Sequence, residues 1–137
     1  MEPIAGTSQR PRLLAVDDAA ASAELIARIA DRSGFSACYV SDPTTVVTVI
    51  RSWHPAIIVT DICMPQMDAI ELWNSLRLLE FTGELMLVSG QNETLRQQAG
   101  KLAGIKGLKV VANMQKPLNI RMFGEILKSR LSHVWAS

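Results

Sequence analysis

The chain is poor in most features that would mark a specialised class. It has two cysteines, Cys38 and Cys63, with no CxxC or metal-ligand spacing. Both stand among apolar or small residues, which makes them reduced core side chains. An excess of charge of one sign is also missing: the formal net charge is +1. That balance gives no bulk electrostatic reason to expect binding to nucleic acid or membrane. There is no run of about 18 apolar residues, so no segment reads as a membrane-spanning helix. The first residues, MEPIAGTSQRPR, lack the basic start and apolar block of a secretory signal. There are two histidines, His54 and His133, each near a predicted helix end without companion ligands, and both read as surface residues. Repeats and low-complexity tracts are absent. What remains is a 137-residue chain, 48 % hydrophobic and 20 % charged, with the balance of one globular domain. It is long enough for a core of its own, and a cytoplasmic location is expected.

An alternating pattern follows a short leader, 1–11, rich in proline and small polar residues. Leu13–Val16 is an apolar run ending in Asp17-Asp18. Leu25, Ile26, Ile29 and Ala30 then recur at helical spacing and are closed by Gly34. Residues 35–40 form a second strand. Asp42-Pro43 opens a helix as cap and first-turn proline, with Val46, Val47 and Ile50 inward and Pro55 as the stop. Residues 56–60 are a third strand. Asp68 and Glu71 have the spacing of an acidic capping box for a helix to about Glu80. The fourth strand is 84–88, ending at Ser89, and a helix over 91–104 is weakened by Gly100. Residues 108–112 are a fifth strand. Ile120, Phe123, Leu127, Leu131 and Val134 mark a final amphipathic helix. Five strands alternating with five helices predict an α/β domain with a parallel sheet covered on both faces, doubly wound in three layers.

The polar residues at the strand ends are the informative feature. Asp17 and Asp18 close strand one, Asp61 closes strand three, Ser89 closes strand four, and Lys116 follows strand five. In a parallel sheet all these ends lie along one edge, where ligands bind. Each residue alone has a plain structural reading: helix caps for Asp17 and Asp18, turns for Asp61 and Ser89, a solvated charge for Lys116. Their joint placement at one rim favours a site. Two carboxylates about 5 Å apart at an effective dielectric near 20 repel by roughly 3 kcal/mol. Such a cluster raises a pKa or holds a cation, and an all-oxygen set suits a hard divalent ion such as Mg²⁺. With a lysine for an anion and a hydroxyl donor, the set describes phosphoryl transfer to an aspartate nucleophile. Trp53, Trp73 and Trp135 read as packing residues, and Met64 and Met67 as loop packing.

AVDD at 15–18, VTDICMPQMD at 59–68, VSG at 88–90 and QKP at 115–117 resemble the receiver domain of two-component response regulators. The resemblance covers about residues 12–133, with four short motifs in the right order at matching strand ends. It implies a CheY-like, flavodoxin-like α/β fold, a five-stranded parallel sheet in the order 2-1-3-4-5, with residues 12–137 as the domain. It implies Asp61 as acceptor of a phosphoryl group from a histidine kinase or a histidine phosphotransfer protein. Mg²⁺ would be held by Asp18, Asp61 and the backbone carbonyl of Cys63, with Asp17 acting mainly through water. Ser89 and Lys116 would bind the phosphoryl oxygens, and a cis bond is expected before Pro117. Output would run through the fourth helix, fifth strand and fifth helix to an output domain or target protein. A phosphorylation-dependent homodimer is a further implied assembly. The domain itself would not be an enzyme and would contact neither nucleic acid nor membrane.

The chain departs from that pattern at Asn113, where receivers often carry an aromatic three residues before the lysine; a switch must then use backbone motion or another side chain. Ala69 stands where glycine is common, which a turn of negative φ tolerates. Cys63 lies two residues beyond the acceptor and bears on water access. Competing readings are a pseudo-receiver that docks partners without phosphorylation, and a haloacid-dehalogenase-like phosphatase using an aspartyl nucleophile. The latter typically needs a second acid where Cys63 stands, and a cap domain. Flavodoxin-like cofactor binding ranks last, since no Ser/Thr/Gly-rich phosphate loop follows strand one.

Overall fold

Continuous apolar runs fold as interior strands because both faces need cover, and three such runs set this architecture. The structure is a computed structural model and describes residues 10–62, 69–90 and 93–135. The described elements are β1 (Arg12–Val16), α1 (Ala20–Arg32), β2 (Ser36–Val40), a 3-10 turn (Pro43–Thr45) leading into α2 (Val46–Trp53), β3 (Ile57–Asp61), α3 (Ala69–Leu78), β4 (Glu84–Ser89), α4 (Glu93–Ile105), β5 (Lys109–Gln115) and α5 (Ile120–Trp135). The strands form one parallel sheet in the order β2-β1-β3-β4-β5, as expected.

Strand alternation divides the apolar residues between two cores. Leu14, Val16, Ile58, Leu85 and Leu87 pack with Val46, Ile50, Leu72, Trp73, Leu76 and Ala103 from α2, α3 and α4. Leu13, Ala15, Ile57, Val59, Met86 and Val88 pack on the other face with Ile26, Ala27, Ile29, Ala30, Phe123 and Leu127 from α1 and α5. The result is three layers. Among the described residues, no helix is long and apolar enough to cross a membrane.

Several boundaries differ from the sequence reading for local reasons. Leu25 points outward at 43 % exposure, because Ala23 and Ile26 already fill that turn's inner face. Asp42 accepts the Thr44 N–H at 3.0 Å, so the capped segment is the 3-10 turn, and α2 starts only at Val46. Val47 is half-buried rather than core. β5 runs on to Gln115 because β4 keeps pairing with it as far as Ser89↔Gln115. A register shift lies between Leu85↔Val110 and Met86↔Ala112, leaving Val111 as a surplus residue. Asn119 caps α5 by accepting the Met122 N–H at 2.9 Å. Ile120 lies exposed at the start of that helix. Gly34 takes a φ of +105° after α1, a conformation suited to glycine. Most of the proposed leader, and Asp68 of the proposed capping box, lie outside the described residues.

Candidate functional site

The strand ends bring four of the sequence-predicted site residues together. Asp17 leaves β1 with its N–H on the Val40 carbonyl at 3.2 Å, which fixes its backbone against β2. Its Oδ1 accepts the Ala19 N–H at 2.9 Å and its Oδ2 accepts Lys116 Nζ at 2.7 Å. Both oxygens are engaged, and the residue is 1 % exposed. It does not cap α1, whose N-cap is Ala19 without a side-chain bond. Asp61 closes β3, is 7 % exposed, and accepts Lys116 Nζ at 3.0 Å through Oδ2. Asp18 is exposed. One carboxylate oxygen from each of Asp17, Asp18 and Asp61 lies within 4.8 Å of the others.

The electrostatics follow from that crowding. Partial burial, a hydrogen bond with Asp17 and the charges of Asp17 and Asp61 hold the Asp18 carboxyl above its ordinary value. Burial works against the Lys116 charge, but its hydrogen bonds to Asp17 and Asp61 and their charges prevail, so the amine titrates above an ordinary lysine. One ammonium facing three carboxylates leaves the rim negative. The oxygen donors, two of them buried and one open to solvent, fit a hard divalent cation such as Mg²⁺.

Ser89 ends β4 at 1 % exposure, and its carbonyl accepts the Lys116 N–H at 2.9 Å, tying the lysine's backbone to the same rim. The Lys116–Pro117 peptide is cis, as the resemblance implied. Cys63, Met64 and Met67 lie outside the described residues. His54 and His133 are exposed. Trp73 is a core residue at 1 % exposure, and half-buried Trp53 has the Arg12 guanidinium 5.7 Å from its ring centroid.

One polar arrangement near the site escaped the sequence reading. Asn113 Nδ2 donates to the Arg96 carbonyl, and Arg96 Nη1 donates back to the Asn113 carbonyl at 3.3 Å. The Asn113 amide therefore binds α4 from the position at which the chain departs from the receiver pattern. Gly100 is the sequence signal that could have revealed it, since a glycine inside a helix often marks a close approach.

A doubly wound parallel sheet with an acid cluster and a lysine at its carboxyl edge defines an α/β domain whose polar residues stand where such folds bind ligands. The chain belongs to the response regulator receiver domain family, which it matches over residues 13–122. It is 27 % identical to a response regulator from Colwellia psychrerythraea, with a TM-score of 0.79 over 90 % of this chain and 98 % of that one. The chemotaxis protein CheY4 of Vibrio cholerae shares the fold at 20 % identity, with a TM-score of 0.70 over 91 % of this chain and 98 % of that one. The DNA-binding response regulator MtrA of Mycobacterium tuberculosis is 31 % identical over 70 residues, 51 % of this chain and 31 % of MtrA. The transcriptional regulatory protein PhoP of Bacillus subtilis is 22 % identical over 88 % of this chain and 50 % of PhoP. The chain thus spans about a third to a half of the length of these curated relatives.

Proposed function

We propose that this receiver domain accepts a phosphoryl group on Asp61 from the phosphohistidine of a histidine kinase or histidine phosphotransfer protein, with Mg²⁺, and passes the change to an output domain or target. The observation that carries the reading is the gathering of Asp17, Asp18 and Asp61 about the Lys116 amine at the sheet's carboxyl edge. Mg²⁺, if held by Asp18, Asp61 and the backbone carbonyl of Cys63 with Asp17 acting mainly through water, would neutralise charge between the incoming phosphoryl group and its acceptor.

The chain's own groups do the rest. An Asp61 carboxylate oxygen forms the bond to phosphorus while the donor's P–N bond breaks, and the departing imidazole nitrogen takes a proton from solvent. Asp17 holds Lys116 in place through its 2.7 Å contact. The ammonium has three donors, so it keeps Asp17 while one N–H turns from Asp61 to a phosphoryl oxygen. Ser89 supplies a hydroxyl at the same rim. On this reading the domain is a phosphoryl acceptor rather than a turnover enzyme, acts in the cytoplasm, and can form a homodimer when phosphorylated.

Incubation with Mg²⁺ and a small phosphoramidate or acyl phosphate, followed by intact mass measurement, tests the reading. One PO₃ unit should be added, stable in acid and labile in base, and absent from Asp61→Asn. A folded chain that takes up no phosphoryl group yet still binds a partner would instead be a docking module. Multiple turnover on phosphomonoesters would make it a phosphatase.

A further inference from the structure

Asn113 and Arg96 exchange two hydrogen bonds between β5 and α4, and three observations make this pair more than packing. First, the surplus residue Val111 sets the direction of Asn113. Val110 packs into the α2–α4 core, Val111 and Ala112 both pack with the α1/α5 core, and Asn113 then reaches α4. Strict alternation from Val110 would have sent Asn113 to the other face. Second, a Cβ on Gly100 would stand 3.0 Å from Asn113 Nδ2. Gly100 follows Arg96 by one helical turn, so its missing side chain opens the Arg96 carbonyl to a second donor. Third, Asn113 Oδ1 and Arg96 Nε are buried without partners among the described residues. Leaving these two atoms buried and unpaired costs the latched contact free energy, so the contact is poised to open.

We propose that Asn113, Arg96 and Gly100 form a polar latch that fixes α4 on β5 in the arrangement where Lys116 bridges Asp17 and Asp61, and that phosphorylation of Asp61 opens it. The coupling rests on the function proposed above. Ser89 lies at the end of β4, four residues before α4 begins, and its carbonyl holds Lys116 N–H. A change at the Asp61–Lys116 contact therefore reaches α4 through a short connection, and the latch resists it. Opening breaks the amide-to-carbonyl bond between Asn113 and Arg96 and so releases α4 from β5 at this point. Asn113 is thus a positioning residue for α4, taking the place of an aromatic side chain.

Hydrogen exchange across α4, with and without Mg²⁺ and beryllofluoride, tests the latch in wild type, Asn113→Ala, Gly100→Ala and the double variant. Asn113→Ala should raise exchange over residues 93–105 severalfold while β1 and β3 stay protected. Gly100→Ala alone strengthens an ordinary helix, slowing exchange about fivefold. That slowing should be seen only in the Asn113→Ala background, because with Asn113 present the new methyl displaces the amide. Beryllofluoride should bind Asn113→Ala severalfold more tightly than wild type, since the latched state no longer competes. A merely structural role would weaken that binding or leave it unchanged. Unchanged α4 exchange in Asn113→Ala, equal slowing by Gly100→Ala in both backgrounds, or unaltered beryllofluoride affinity would overturn the proposal. If Asn113→Ala folds poorly, Gly100→Ala probes the same contact: exchange slowed about fivefold with Asn113 in place overturns the latch. A wild-type chain that takes up no beryllofluoride would overturn the function of Asp61 and the coupling with it, while the exchange comparison still decides whether the latch holds α4.

Discussion

At the residue scale, Lys116 is the pivot. Its ammonium is within hydrogen-bonding distance of both Asp17 and Asp61, which are almost wholly buried. Removing one partner of a buried ion pair leaves the other charge uncompensated, which costs more than the pair gains. Lys116→Met should lower stability by roughly 3 kcal/mol in urea unfolding at neutral pH without divalent ions. Mg²⁺ should raise the midpoint more in the variant than in wild type, because a bound cation replaces the lost charge. The pH dependence has a definite sign. The folded-state lysine pKa lies above its ordinary 10.5, so its contribution is complete below that value and is lost as pH rises through the folded value. The variant should lack this alkaline decline. Equal stability of the two proteins at neutral pH would show that the ammonium does not offset the carboxylates.

At the scale of elements, α5 is secured far from the site. Arg130 pairs with Glu84 through both guanidinium and carboxylate branches, with Nε 3.0 Å from Oε1. Glu84 begins β4 and is 8 % exposed, so the pair fastens the last turns of α5 to the sheet's amino edge. Arg130→Met should cost roughly 2–3 kcal/mol, and adding Glu84→Met should recover most of it, as apolar replacements of buried pairs do. Chemical unfolding of the single and double variants checks this; equal loss in both would assign the cost to packing. The elements also show what a sequence can disclose. β1, β3 and β4 were legible because buried strands must be continuously apolar, and the site followed because parallel strands end on one edge. The length of β5, the Asn119 cap and the 3-10 turn before α2 were not legible. They depend on how far a neighbour continues to pair and on which polar side chain reaches a free N–H. The bond between Arg96 and Asn113 required the packing of α4 on β5, which neither residue advertises alone.

For the molecule as a whole, the sheet is shared by two cores that have no other common support. β1, β3 and β4 send alternate residues into each, so neither core can dissolve without exposing the reverse face of the strands. A cavity on one side should therefore weaken the whole. Leu127→Ala, in the α1/α5 core, should cost roughly 3 kcal/mol. Its unfolding should still be a single transition, coincident by circular dichroism and by fluorescence, to which Trp73 of the opposite core contributes. Two separated transitions would mean that the layers melt independently.

The extra residue at Val111 has a reach beyond its own turn of strand. Had β5 paired one-for-one with β4, Ser89 would face Met114 instead of Gln115, and every later position would sit one step further past the edge. Lys116 would then overshoot the carboxylates, and Asn113 would turn its back on α4. A single odd count in one ladder thus governs the parity of both, so neither the amine nor the amide can be re-aimed in evolution or design without disturbing the other.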